Sequence, residues 1–327
     1  MAAQIVPFQS NQWRLNACVH LPDNAPEQRS GVVIVHENTK FGTHGLFRQV
    51  ADAFAASGFH ALRYDNRGTC DSPGDSELTF DERVADACAA TDFFRTEYNL
   101  EKVLLWGLCM GSAIAVHASA RLSGPLRPAG MILCSMLVDP VEASLPEFNY
   151  RQVKLSAYLR HGLTGSNWNR LRALVSDGGY RANLLGSVAA MLRTYFRGNG
   201  RLQNMRNAIG RVGPLLAQYD APTLLIYGDT DPFWSNFTKR INPGDKLRLS
   251  EMKSPPKIAV VADGDHMFHS VQQTSEVIQL SVSWAAALRS GQNVAARREE
   301  VQAIFAHLRP PEVAGRDGHQ LADPGLR

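Results

Sequence analysis

Short apolar runs alternate with longer amphipathic segments along most of the chain. Apolar runs cover residues 31–36, 59–64 and 103–107, and the segments 46–57 and 80–98 repeat apolar residues at helical spacing. A short apolar run between turn residues is typical of a buried strand, whereas helical spacing indicates an amphipathic helix. The alternation therefore predicts an α/β fold in which helices cover both faces of a mostly parallel central sheet.

The alternation of predicted strands and helices extends towards both ends of the chain. Residues 13–20 alternate between apolar and polar side chains, which predicts a partly exposed strand. Further buried strands are expected at 129–135, from Thr223 onwards and at 257–261, and a closing helix at 271–288.

The strand pattern stops between residues 140 and 218, where segments rich in Leu, Arg and Tyr have helical spacing. We interpret 140–218 as a helical cap inserted into a core formed by 1–139 and 219–290. The remaining residues, 291–327, are predicted to be a C-terminal helix followed by a disordered tail, because apolar periodicity is lost after Arg309.

The composition of the chain argues against nucleic-acid binding and against a membrane-spanning protein. With 327 residues, 44% of them hydrophobic, the chain can bury one large core without a second domain. The net charge is only +3 and no basic run is interleaved with aromatic residues, which argues against nucleic-acid binding. No apolar run reaches the roughly 20 residues needed to span a bilayer, and the start of the chain has no signal-peptide pattern. We therefore expect a cytoplasmic protein.

Cysteine usage supports the same expectation. The five cysteines are odd in number and widely spaced, without a C-x-x-C pair or a Cys/His cluster. This favours reduced thiols and predicts neither a metal site nor another cofactor. The cysteines are Cys18, Cys70, Cys88, Cys109 and Cys134.

A G-x-C-x-G motif is the first candidate for chemistry. Gly107, Cys109 and Gly111 lie between a predicted strand and a predicted helix, which is the context of a nucleophile elbow. Such a turn needs neighbours without a Cβ so that strand and helix can approach each other. The Met110 N–H then begins the helix, where it could stabilise an oxyanion. We predict Cys109 as the nucleophile.

An acid and a base follow later in the chain, each just after a predicted strand. Asp231 ends a G-x-x-D turn, and His266 lies in a Gly-Asp-His turn. Nucleophile, acid and histidine thus occur in the order of the α/β-hydrolase arrangement. Asp229 and Asp139 are alternative acids, and His269 is an alternative base that we expect to be a polar cap or surface residue.

From Gly31 to Arg289 the chain resembles the α/β-hydrolase superfamily on these motifs. The segment Val35-His36-Glu37-Asn38, ahead of Gly42-Thr43-His44, is similar to dienelactone hydrolases, whose nucleophile is also a cysteine in a G-x-C-x-G turn. The resemblance implies that Glu37 interacts with Cys109 and controls formation of the thiolate. Ser112 departs from that family, which tends to have a glycine there.

A second resemblance is to the exosortase A system-associated hydrolases. It rests on residues 64–68, 71–74, 106–109 and the helical stretch 154–171. Thr69-Cys70 departs from the glycine that the superfamily often has there. Within 64–68 we expect Asp65 and Arg67 to hold their loop by an ion pair or backbone hydrogen bonds and leave both out of the catalytic set.

Together these motifs predict a cofactor-independent hydrolase of an ester, thioester or lactone. Cys109 would form an acyl-enzyme, His266 would move the proton, and Asp231 would orient the imidazole. The alternatives are an acyltransferase using the same intermediate and a non-catalytic binding protein on this fold. The predicted partner is a small acyl substrate.

The oxyanion hole would combine the Met110 N–H with a second N–H near Glu37 or Asn38. A substrate pocket beneath the cap is predicted to involve His44, Trp168, Phe233 and Trp234.

Overall fold

One eight-stranded sheet organises the part of the chain that the structure describes. This computed structural model describes residues 2–24, 29–36, 45–74, 78–140, 200–241, 249 and 252–294. The strands are β1 (Ala2–Ser10), β2 (Trp13–Leu21), β3 (Ser30–Val35), β4 (His60–Tyr64), β5 (Lys102–Leu108), β6 (Gly130–Cys134), β7 (Thr223–Gly228) and β8 (Lys257–Val261).

The sheet is mostly parallel, as predicted. Its strand order is β1-β2-β4-β3-β5-β6-β7-β8. Only the pairs β1–β2 and β2–β4 are antiparallel. The other six strands, β3 to β8, run parallel to one another. Parallel strands place all their carboxyl ends at one edge of the sheet, so the turns after β3, β5, β7 and β8 lie at that edge.

Seven α-helices are described, together with a short 3-10 helix at Gly124–Leu126: α1 (Gly45–Ala56), α2 (Phe80–Glu97), α3 (Met110–Arg121), α4 (Gly200–Gly210), α5 (Val212–Ala217), α6 (Pro232–Ile241) and α7 (Val271–Arg289). Capping boxes fix the starts of α2 and α7, at Thr79 with Glu82 and at Ser270 with Gln273. Helix α1 contacts α7, and a second set of contacts links α2 with α3 and α4, and α5 with α3 and α4. The sheet carries helices, as the sequence predicts.

The first strand was missed by the sequence analysis. Most side chains of β1 are exposed, so it lacks the apolar run that identifies the central strands. It is held by a tight hairpin in which Asn11 adopts a positive φ of 51°. Asparagine tolerates that conformation, and an Asn in a two-residue turn was the available signal.

The loop after β4 is held by an ion pair, as expected for Arg67. Its guanidinium donates to the fully buried carboxylate of Asp86, 2.6 Å from Nη2 to Oδ1. The Ser10 hydroxyl donates to the same carboxylate at 2.6 Å. This contact ties the end of β1 to α2 and gives the loop a structural role.

Most of the predicted cap, residues 141–199, lies outside the described residues, as does the C-terminal segment from 295. Residues 200–217, which the sequence analysis assigned to the cap, form α4 and α5 and contact α2 and α3. His117 of α3 donates through Nε2 to the Ala208 carbonyl at 2.9 Å. The end of this segment is therefore packed on the helices of the core, and the division into core and cap stays a prediction.

Among the described helices, none combines the length and the apolar character needed to cross a bilayer.

Candidate active site

Cys109 lies in a strained turn between β5 and α3. Its φ and ψ are 54° and −119°, a region that residues with a Cβ rarely adopt. The Cys109 N–H donates to the Cys134 carbonyl of β6 at 2.9 Å, which anchors the turn to the neighbouring strand. The side chain is only 2% exposed. Met110 is the first residue of α3, so its N–H has no acceptor within the helix.

Both glycines of the motif are required by contacts with backbone. A Cβ on Gly107 would lie 2.6 Å from the Gly111 carbonyl oxygen, and a Cβ on Gly111 would lie 2.1 Å from the Val35 oxygen. Strand β5, helix α3 and the end of β3 therefore approach more closely than any side chain allows. The sequence predicted the reason for these glycines correctly.

Ser112 has a structural explanation that the sequence did not show. Its hydroxyl lies 2.9 Å from the carbonyl oxygens of Gly107 and Cys134. The hydroxyl thus links β5 and β6 just behind Cys109. Ser112, which departs from the dienelactone hydrolase pattern, therefore stabilises the turn that carries Cys109.

Asp231 is the acid that reaches His266. It follows β7, is 1% exposed, and both of its carboxylate oxygens lie 3.2 Å from His266 Nδ1. Its Oδ1 also accepts from the Phe233 N–H at 2.9 Å, which fixes the carboxylate at the start of α6. The alternatives lie elsewhere: Asp229 is exposed, and Asp139 pairs with Arg240 at 2.8 Å.

His269, the alternative base, is directed to another partner. Its Nδ1 lies 3.0 Å from the carboxylate of Asp265, and its side chain is 69% exposed. Asp265 also accepts from the Met267 N–H at 2.8 Å. His269 therefore belongs to the surface of the turn that presents His266.

The electrostatics of His266 depend on Cys109 and Asp231. Burial alone would lower the pKa of the imidazole, but the negative charge of Cys109 and hydrogen bonds to Asp231 and Cys109 raise it. The resulting pKa lies well above the usual value for histidine. The arrangement thus favours an imidazolium between two anionic groups.

The loops that carry Asp231 and His266 touch through two glycines. A Cβ on Gly228 would lie 2.0 Å from the Gly264 oxygen. The same oxygen accepts from the Thr230 N–H at 3.1 Å and from the Thr230 hydroxyl at 2.7 Å. Thr230, which the sequence analysis did not single out, thereby joins the loop after β7 to the loop after β8.

Removing the Thr230 hydroxyl is expected to loosen the contact between Asp231 and His266. Thr230→Val keeps the shape and loses one hydrogen bond, so we expect turnover to fall about fivefold, the equivalent of about 1 kcal/mol. Thr230→Ser keeps the hydroxyl and should restore most of the activity. Steady-state kinetics of the two variants test this, and equal rates for Val and Ser would show that the bond does not position the pair.

The aromatic residues predicted for the pocket divide into two groups. Phe233 packs at right angles to His266, with 4.5 Å between ring centroids. Trp234 instead stacks on Phe237 at 5.8 Å and contacts Tyr227 at 5.4 Å. Phe233 therefore lies beside the imidazole, whereas the described contacts of Trp234 are with other aromatic rings.

Four predicted site residues, Glu37, Asn38, His44 and Trp168, lie outside the described residues. The residue just before the first two, His36, is 1% exposed, and its Nε2 lies 3.1 Å from Asn66 Nδ2. This contact ties the end of β3 to the loop after β4. Asn66 lies within the 64–68 segment of the exosortase-associated resemblance, but nothing in the sequence pairs it with His36.

Within the described ranges, no three His, Cys, Asp or Glu side chains gather as metal ligands would.

One family model matches most of the described core and shows the family to which the chain belongs. The family model described as serine aminopeptidase, S33 (Hydrolase_4), matches residues 26–241, which is more than half of the chain. The chain belongs to this family. Its Hydrolase_4 match includes the Cys109 turn and Asp231 and ends before His266. The family's description names a serine enzyme, whereas this member has Cys109 in the turn between β5 and α3. No curated protein has significant sequence similarity to the chain.

Solved structures that are similar in fold include esterases and a dienelactone hydrolase. Est1E from Butyrivibrio proteoclasticus, solved with ferulic acid, is 17% identical, with 86% of this chain and 99% of that chain covered and a TM-score of 0.58. An esterase from Pyrococcus furiosus is 12% identical, with 89% and 92% covered and a TM-score of 0.60.

A dienelactone hydrolase from Anabaena variabilis is 14% identical, with 86% of this chain and 96% of that chain covered and a TM-score of 0.53. At such identities the similarity shows the fold. The Hydrolase_4 member described here is thus a hydrolase of the α/β-hydrolase superfamily, and its likeness to exosortase A system-associated hydrolases stays a prediction.

Proposed function

We propose that the protein hydrolyses an ester, thioester or lactone through an acyl-enzyme on Cys109, without a cofactor. The observation that carries the proposal is the pair of contacts made by His266, which bonds to the Asp231 carboxylate and to the Cys109 thiol. Thiol, imidazole and carboxylate in that order form the arrangement used for nucleophilic catalysis.

Proton movement follows from the two nitrogens of His266. Since Nδ1 is bonded to Asp231, Nε2 is the nitrogen that exchanges a proton with Cys109. The Cys109 thiolate attacks the acyl carbon, and the imidazolium then protonates the departing alcohol or thiol. His266 next takes a proton from water, and the resulting hydroxide attacks the acyl carbon. Collapse of this second tetrahedral intermediate releases the carboxylic acid and leaves the Cys109 thiolate beside the imidazolium.

The tetrahedral intermediate needs donors for its oxyanion. The Met110 N–H at the start of α3 is one, and we propose an N–H near Glu37 or Asn38 as the second. These two residues directly follow His36, whose bond to Asn66 fixes the point where their segment leaves β3. Each donor of this kind contributes about 3 kcal/mol to transition-state stabilisation.

The cysteine favours activated acyl groups. A thiolate is a good acceptor from esters and thioesters and a poor one from plain amides without further help. We therefore place esters, thioesters and lactones ahead of the peptides that the family's description suggests. A reducing compartment such as the cytoplasm would keep the thiol available, and none of the five cysteines, all of which lie in the described ranges, forms a disulfide.

Intact-protein mass spectrometry tests the proposal. The protein is mixed with acyl thioesters, simple esters, lactones and aminoacyl amides, and Cys109→Ala is treated in parallel. We expect an added acyl mass on the wild-type chain from at least one ester, thioester or lactone, and none on Cys109→Ala. Adding an amine or alcohol nucleophile then distinguishes hydrolysis from acyl transfer by the product formed. Absence of any adduct together with absence of turnover would support a non-catalytic binding protein.

Glu37 is proposed to control the thiol, as the dienelactone hydrolase resemblance implies. Glu37→Gln removes the negative charge while keeping the shape of the side chain. We expect a changed pH dependence of Cys109 alkylation and slower turnover. If alkylation and turnover were both unchanged, Glu37 would be an ordinary loop residue.

A further inference from the structure

Phe233 contacts both members of the pair formed by Asp231 and His266. Its backbone N–H donates to Asp231 Oδ1 at 2.9 Å. Its ring lies at 90° to the imidazole of His266, with 4.5 Å between the two centroids, and the residue is buried. The residue therefore binds the acid through its backbone and packs on the base through its side chain.

The shared carboxylate indicates how the two rings meet. When two aromatic rings are perpendicular, the edge of one lies against the face of the other. Asp231 Oδ1 lies 3.2 Å from His266 Nδ1 and accepts the Phe233 N–H as well. Phe233 thus starts from the group that lies beyond Nδ1, on an edge of the imidazole. This favours the edge of His266 against the face of the phenyl ring.

Such a contact distinguishes the charged form of the imidazole from the neutral form. The face of a phenyl ring is negative, and a cation within about 6 Å of its centroid is attracted, more strongly when the contact is desolvated. The distance between the rings of Phe233 and His266 is within that range. The attraction has the same sign as the effects of Cys109 and Asp231, the two anionic groups that raise the pKa of His266.

We propose that Phe233 is a positioning residue whose phenyl face stabilises the imidazolium form of His266 in the orientation that joins Asp231 to Cys109. The inference rests on the proposed function, in which His266 carries the proton. The imidazolium forms when Cys109 loses its proton and lasts until the leaving group is protonated. An interaction that is stronger with the charged ring lowers the free energy of that state and of the transition states next to it. The sequence analysis placed Phe233 in the substrate pocket, and the proposal assigns it to the base instead.

NMR titration of the His266 ring tests the proposal without any substrate. The signal of His266 is identified by its absence in His266→Ala. Phe233→Leu keeps an apolar side chain and removes the aromatic face, whereas Phe233→Tyr keeps the ring. We expect the pKa of His266 to be lower in Phe233→Leu than in the wild-type protein and to return close to the wild-type value in Phe233→Tyr.

Phe237→Leu is the matched control, because it removes a phenyl ring from the same helix, α6. The ring of Phe237 packs on Tyr227 at 4.8 Å and on Trp234 at 5.8 Å. This variant should leave the pKa of His266 at its wild-type value. Circular dichroism of all variants shows whether they are folded.

Steady-state kinetics separate a positioning role from a role in substrate binding. With an ester that the wild-type protein hydrolyses, we expect kcat to fall about fivefold in Phe233→Leu while KM stays within about twofold of the wild-type value. Phe233→Tyr should recover most of the loss in kcat. A raised KM with unchanged kcat and an unchanged pKa of His266 would return Phe233 to the substrate pocket and overturn the proposal.

The titration alone can also overturn it. An unchanged or raised pKa of His266 in Phe233→Leu would show that the phenyl face does not stabilise the imidazolium. An equal fall in Phe233→Leu and Phe237→Leu would show a general disturbance of α6. A wild-type protein with neither an acyl adduct nor turnover would contradict the proposed function, whereas the titration would still decide whether Phe233 stabilises the charged ring.

Discussion

Replacing Asp231 by asparagine is expected to lower turnover about a thousandfold or more while the protein stays folded. The change keeps the shape of the side chain and the acceptor for the Phe233 N–H, but it removes the charge beside His266 Nδ1. That charge and its hydrogen bond contribute to the raised pKa of His266, so this pKa should fall in the variant. Kinetics and NMR titration of the His266 ring measure the two effects.

Two other carboxylates provide the controls. Asp229→Asn changes an exposed residue two positions away, and Asp139→Asn breaks only the pair with Arg240. Both variants should keep near wild-type turnover, because neither carboxylate contacts the imidazole. A large loss in Asp139→Asn with normal activity in Asp231→Asn would move the acid to the segment after β6.

Gly111→Ala is expected to be the most destabilising small substitution in the turn around Cys109. The added Cβ would lie 2.1 Å from the Val35 oxygen and 2.9 Å from the Val35 carbonyl carbon, both of which are backbone atoms. The clash can be relieved only by moving β3 or α3, so we expect a loss of about 3 kcal/mol or more in the free energy of unfolding. Urea denaturation monitored by circular dichroism measures it.

Gly45→Ala is the matched control. A Cβ at Gly45 meets nothing within 4 Å, and the residue begins helix α1. Alanine there should be neutral or stabilising by up to about 1 kcal/mol, because it restricts the unfolded chain. If both variants unfolded at the same urea concentration, the close approach of α3 to β3 would not be present in solution.

The central sheet could be predicted because its strands are buried along most of their length. The burial of β3 to β7 leaves continuous apolar runs, which are easy to recognise. β1 could not be recognised in this way, since most of its side chains face solvent and its stability comes from pairing with β2. Helix starts followed the capping residues closely, as at Thr79 and Ser270.

The candidate site was predictable where it depends on position after a strand. Cys109, Asp231 and His266 follow β5, β7 and β8, whose carboxyl ends share one edge of the sheet. The supporting contacts were not predictable, because they join residues far apart in the sequence. The bonds from Thr230 to Gly264 and from Ser112 to Cys134 have no local pattern, and neither does the contact of His36 with Asn66.

The pH dependence of Cys109 alkylation tests most directly whether this thiol and His266 act as a pair. Iodoacetamide labelling of Cys109 is followed by peptide mass spectrometry between pH 5.5 and 9 in the wild-type protein and in His266→Ala. An ordinary thiol loses about tenfold in rate for each pH unit below about 8.5. We expect the wild-type rate at pH 6.5 to stay near its value at pH 8.5 and the His266→Ala rate to fall as for an ordinary thiol. Identical, ordinary profiles in both proteins would contradict the account.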